Sequence, residues 1–67
     1  MPTVIFEVAA GWSKEQKKGL IEGVTKVCVD TLGIHKDRVH AIIHETPTDN
    51  MATGGELLTD IRRRENR

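Results

Sequence analysis

The hydrophobic pattern changes period along the chain, and each change marks an element. Over residues 3–9, TVIFEVA, Val4, Phe6 and Val8 alternate with Thr3, Ile5, Glu7 and Ala9. This period of two predicts a strand, and Ile5 gives its second face some apolar surface too. After Ala10, Gly11 and Trp12 the period becomes helical. Leu20, Val24, Val27 and Thr31 follow one stripe, widened by Ile21, Cys28 and Leu32. The stretch SKEQ at Ser13–Gln16 fits a capping box that opens this helix, and Gly33 is placed to close it. Residues 38–45, RVHAIIHE, return to a period of two. Val39, Ala41 and Ile43 share one face of this predicted strand, and Arg38, His40, Ile42 and His44 share the other. Turn residues follow at Pro47, Asp49 and Asn50, with a second turn at Gly54-Gly55. Glu56–Leu58 reads as a short strand or arm, and residues 62–67 as a charged, frayed tail.

A strand, a long helix and a second strand make a βαβ unit. The predicted class is α/β (α+β): a parallel two-stranded sheet with a right-handed crossover and a C-terminal hairpin or arm. The chain of 67 residues is read as a single domain over 1–67. Two strands and one helix cannot cover both faces of such a sheet, and an isolated two-stranded sheet is barely stable. A domain this small needs disulfides, a metal or partner subunits. The single cysteine, Cys28, rules out an internal disulfide, so an oligomer is expected.

Composition narrows the partners. Ten basic and ten acidic residues balance, which leaves no net field for nucleic acid or an anionic membrane. With only Phe6 and Trp12 as aromatics, a stacking surface for bases is not expected. No long apolar run predicts a membrane span, and the chain reads as cytoplasmic.

Most chemical candidates have a plainer reading. His40 and His44 are spaced H-x-x-x-H, but four residues of strand span about 13 Å, too far for two imidazoles to share one ion. No metal site is assigned. Arg62-Arg63-Arg64 is interrupted by Asp60 and Glu65 and reads as a solvated tail or subunit-contact arm. Cys28 lies on the apolar helix stripe with nothing nearby to activate it. Pro2 differs. Removal of Met1 would leave a free secondary amine at the chain start. Free α-amino groups titrate near pH 7.7–8.0. Apolar burial or a nearby cation would lower that value toward what a general base needs. By itself a second-position proline is more often incidental, a residue at a strand edge.

Taken together, MP at the start, SKEQKKGLIEGVT at the helix opening, VHAIIHE on the second strand and TPTDNMATGGEL in the turn and arm resemble the 4-oxalocrotonate tautomerase family. The resemblance runs nearly end to end. It implies a βαβ subunit that pairs into a four-stranded sheet, with three pairs forming a hexamer. It implies Pro2 as catalytic base, moving a proton from an enol or dienol oxygen to carbon, with no metal or organic cofactor. It also implies a substrate pocket completed by neighbouring subunits.

The departures bear on substrate. Family members acting on 2-hydroxymuconate-type diacids carry arginines at the positions of Trp12 and His40, and a phenylalanine at that of Met51. Tryptophan cannot supply bidentate carboxylate binding, and neutral histidine donates one hydrogen bond. Met51 keeps an apolar wall. Arg38, two residues before His40, is expected to face the same side and to restore part of the lost charge. The expected substrates are 2-hydroxydienoates or enols of 2-keto acids such as phenylenolpyruvate. His40 and Arg38 would meet carboxylate or enol oxygen, and Trp12 and Met51 would line the pocket. Two alternatives keep the fold: hydratase or dehalogenase chemistry on unsaturated acids, and a non-catalytic subunit in a mixed oligomer with a paralogue.

Overall fold

The computed structural model describes residues 2–65. Strand β1 runs Thr3–Ala9, helix α1 Lys14–Leu32 and strand β2 His40–Thr46. A short hairpin, β3 (Ala52–Thr53) and β4 (Glu56–Leu57), leads into helix α2, Leu58–Glu65. β1 and β2 are parallel, in a register that runs from Thr3 opposite His40 to Ala9 opposite Thr46. β3 and β4 are antiparallel, and Gly54 and Gly55 turn between them at φ 60° and 84°. Two successive positive φ values define the turn that matches strand twist, and glycine reaches them without a Cβ clash.

The boundaries of α1 follow from its caps. Ser13 Oγ accepts from the Gln16 backbone N–H at 3.1 Å, and Gln16 Oε1 accepts from the Ser13 N–H at 2.9 Å. Both halves of the capping box are formed. At the other end Gly33 adopts φ 66° and donates its N–H to the Val29 carbonyl at 3.0 Å, which stops the helix.

α1 packs on the sheet face that carries Val4, Phe6, Val8, Ala41 and Ile43, all half-buried. The helix residues turned inward are Lys17, Ile21, Val24, Thr25, Cys28 and Val29. Leu20, Val27 and Leu32, expected on the inward stripe, are instead exposed, at 41%, 61% and 57%. The apolar arc of the helix is wider than a two-stranded sheet can cover, and its flank stays open. The opposite sheet face is also open, with Ile5 and Ile42 side by side at 53% and 44% exposure. Flanking them, His44 Nδ1 and Glu7 Oε1 lie 2.8 Å apart. Among the described residues none is fully buried.

Size measures agree. A compact monomer of 7.5 kDa exposes about 4,250 Å²; this chain exposes 5229 Å². Its radius of gyration is 15.4 Å, against about 11 Å expected for a compact domain of this length.

Two expectations are corrected here. β2 begins at His40 rather than Arg38. Residues Lys36–Arg38 form a 3-10 turn instead, closed by Arg38 N–H to His35 carbonyl (2.9 Å) and Val39 N–H to Lys36 carbonyl (3.1 Å). Strand alternation therefore does not carry back to Arg38. In the tail, residues 62–65, expected to fray, continue α2. The helix is held by ion pairing of Arg64 with Glu56 and by Thr59, which bonds Thr48 and Asp49 in the preceding 3-10 turn. The last two residues of the expected tail, 66 and 67, lie outside the described residues.

The capping box gives a first prediction. Ser13→Ala removes one of its two bonds on an exposed surface and is expected to cost about 1 kcal/mol of stability. A urea-unfolding midpoint that does not move would contradict that.

Candidate active site

The parallel pairing of β1 and β2 decides where the candidate residues lie. At the start of the sheet the His40 N–H donates to the Pro2 carbonyl at 3.1 Å. This bond extends the ladder one residue beyond β1 and fixes the half-buried Pro2 beside the connection from α1 to β2. The connection folds over it. Pro2, Ile34, His35 and Arg38 line one open cleft of about 250 Å³. Met1, whose removal would free the Pro2 nitrogen, lies outside the described residues.

Arg38 reaches this cleft from the 3-10 turn, not from a strand face shared with His40. His40 takes the other course. Its strand partner is Thr3, and its exposed side chain belongs to the open sheet face with Ile5 and Ile42. Within one chain Pro2 and Arg38 therefore come together, and His40 is not part of their cleft.

Trp12 and Met51 lie at the far end. Seven residues of β1 separate Pro2 from the Ala10 turn, a strand length of about 23 Å. There the Ala10 N–H donates to the Thr46 carbonyl at 2.9 Å, and Gly11 takes φ 127° to turn the chain toward α1. Trp12, 51% exposed, borders an apolar cleft of about 330 Å³ with Val8, Leu20 and Ile43. Its rim carries Lys17, paired with Glu45 at 2.7 Å. On its other side Trp12 shares a cleft with Ala10, Gly11 and Arg62. Met51 follows the Thr48–Asn50 turn, and its carbonyl accepts from the Leu58 N–H at 2.7 Å.

Two residues gain a place that the sequence reading did not give them. His35 lines the Pro2 cleft, and Arg62 stands beside Trp12. Arg62 was hidden because the tail was read as frayed. His35 was hidden because it falls in a short connector, although His-x-Asp ahead of a turn is a capping pattern. Its Nδ1 accepts from the Asp37 backbone N–H at 3.2 Å. Among the described residues no group of three His, Cys, Asp or Glu side chains is arranged to hold a metal ion. No described helix is long and apolar enough to cross a membrane.

Comparison with known proteins agrees with this architecture. The family model described as tautomerase enzyme matches residues 2–61. A probable tautomerase, K2, of Dickeya dadantii is 46% identical over 63 residues, covering 92% of this chain and 94% of that protein. The 2-hydroxymuconate tautomerase of Bacillus subtilis is 33% identical over 61 residues, covering 91% and 98%. Among solved structures, TomN, a 4-oxalocrotonate tautomerase homologue of the tomaymycin biosynthetic pathway, superposes with a TM-score of 0.87. It is 27% identical, and the match covers 92% of this chain and 95% of TomN. A heterohexamer 4-oxalocrotonate tautomerase from Chloroflexus aurantiacus shares the fold, with a TM-score of 0.85 at 24% identity, covering 92% of this chain and 100% of that one. The chain belongs to the tautomerase family.

The separation of the two clefts yields a prediction. A small substrate cannot touch Pro2 and Trp12 of one chain, whereas a second copy can bring them together. Trp12 is the only tryptophan, so its fluorescence reports this directly. Its emission is expected to shift to longer wavelength when the protein is diluted until it dissociates. Emission that is already solvent-like in the concentrated protein would contradict this.

Proposed function

We propose that the chain is a cofactor-independent tautomerase that ketonises enols of 2-keto acids or 2-hydroxydienoates. Pro2, as first residue after loss of Met1, is the general base. The observation that carries this reading is the shared cleft of Pro2 and Arg38 in a chain of the tautomerase family. A secondary amine beside a guanidinium has what the reaction needs. The cation disfavours protonation of the amine and offers a bidentate site for the substrate carboxylate. The amine takes the enol proton from oxygen, the electron pair moves through the enolate, and the ammonium returns the proton to carbon. One C=C bond is lost and one C=O bond is gained.

The working form is a homo-oligomer, with a hexamer favoured. The open sheet face, the open flank of α1 and the excess surface give the subunit reason to associate. Association also lets Trp12, Met51 and Arg62 of one copy wall the Pro2 cleft of another. Arg38 already stands in that cleft, so the chain need not borrow a guanidinium from a paralogue. His40, on the open sheet face, would contact substrate only from across such an interface. The reaction is placed in the cytoplasm, which suits a chain with one free cysteine.

Two variants test the reading with phenylenolpyruvate as substrate. Pro2→Ala is expected to lower kcat/KM by about 10²–10⁴-fold, the usual contribution of a general base, and intact mass should show wild-type protein without Met1. Full activity in protein that retains Met1 would overturn the reading. Arg38→Ala is expected to raise KM by about tenfold or more through loss of a charge-assisted contact. Unchanged kinetics would remove Arg38 from the site.

A further inference from the structure

We propose that His35 is a substrate-binding residue whose Nε2–H donates a hydrogen bond to the oxygen on C2 of the substrate, the atom that passes from enol through enolate to ketone. This rests on the reading of Pro2 as base. His35 caps the 3-10 turn Lys36–Arg38, and its carbonyl accepts the Arg38 N–H at 2.9 Å. One turn thus presents two side chains, His35 and Arg38, to the cleft of Pro2.

The ring's hydrogen-bond role is already set. His35 Nδ1 accepts from the Asp37 backbone N–H at 3.2 Å. An accepting Nδ1 carries no proton, so in the neutral ring the hydrogen is on Nε2. If the ring gains a second proton, Nδ1–H has the Asp37 carboxylate 3.6 Å away, and Nε2 still donates. In either state the nitrogen remote from the turn backbone is a donor.

The pair fits two neighbouring groups on one substrate. A guanidinium binds a carboxylate through two parallel bonds, whereas an imidazole N–H serves one oxygen. A 2-keto acid and its enol carry a carboxylate at C1 and a single oxygen at C2. Arg38 takes the first and His35 the second. Negative charge builds on the C2 oxygen as Pro2 removes its proton, so the His35 bond strengthens on the way to the enolate and favours turnover over ground-state binding. No proton passes through His35. Lys36, Asp37 and Arg38 are the charged residues of its turn, and Pro2 lines the same cleft.

The test uses His35→Ala and His35→Gln, with Pro2→Ala as a reference, all checked for assembly by light scattering. His35→Ala is expected to lower kcat/KM for phenylenolpyruvate by about 10²-fold, mainly in kcat. His35→Gln, whose side-chain N–H can donate, should recover part of the loss, which a purely structural role of the ring would not give. Two competitive probes locate the contact. Affinity for phenylpyruvate, which has the C2 oxygen, should fall in His35→Ala, while affinity for 3-phenylpropionate, which lacks it, should stay at the wild-type value. Wild-type kinetics in His35→Ala, or equal losses for both acids, would overturn the proposal. If Pro2→Ala is inactive while His35→Ala is fully active, the assignment of His35 fails and the reading of Pro2 stands. If Pro2→Ala is fully active, the reading of Pro2 fails, and the two acids still decide whether His35 meets the C2 oxygen.

Discussion

The hydrogen bond from the His40 N–H to the Pro2 carbonyl is the contact on which the rest of the site depends. It continues the parallel ladder to the second residue of the chain. The bond holds Pro2 through its carbonyl and leaves its ring nitrogen out of the ladder. Once fixed, Pro2 lies against whatever connects α1 to β2. The left-handed Gly33 ends the helix, and the Lys36–Arg38 turn folds the connection so that His35 and Arg38 flank the proline. A small set of backbone bonds thus places a proline, a guanidinium and an imidazole in one cleft.

The same parallel register imposes a division. Parallel strands put both their starts at one edge of the subunit and both their ends at the other. Trp12, Met51 and Arg62 belong to the far edge by topology, whatever their side chains do. Among the described residues no loop bridges the two edges. Association therefore does two kinds of work in this account: it covers Ile5, Ile42, Leu20 and Val27, and it brings the apolar wall to the base. In the proposed assembly, stability and catalysis would draw on the same interfaces.

Much of the fold was legible in the sequence because its signals were local. Alternation gave β1, Ser13 and Gln16 gave the helix start, Gly33 its end, and Gly54-Gly55 the hairpin. Three things were not legible. The apolar stripe of α1 is wider than the face it buries, so period alone could not say that Leu20 and Val27 stay exposed. Arg38 was assigned by strand alternation, which a 3-10 turn interrupts without an obvious sequence break. α2 is polar enough to resemble a frayed tail, and tertiary contacts from Thr59 and Arg64 hold it in place. For the site, Pro2 and Arg38 were named from the sequence and share a cleft. His40 was placed with them by the family resemblance, and within one chain its side chain lies on the open sheet face instead. His35 required the three-dimensional turn to be seen at all.

The central claim is that Pro2 works as a free amine, and the most direct measurement is the nitrogen itself. In protein labelled with ¹⁵N-proline there are two such nitrogens, Pro2 and Pro47. Pro47 is an amide and serves as an internal reference that does not titrate. The account predicts an amine resonance for Pro2 that moves with pH, at the same midpoint as the rise in kcat/KM. An amide-like Pro2 resonance that stays fixed with pH, in a protein that remains fully active, would contradict it.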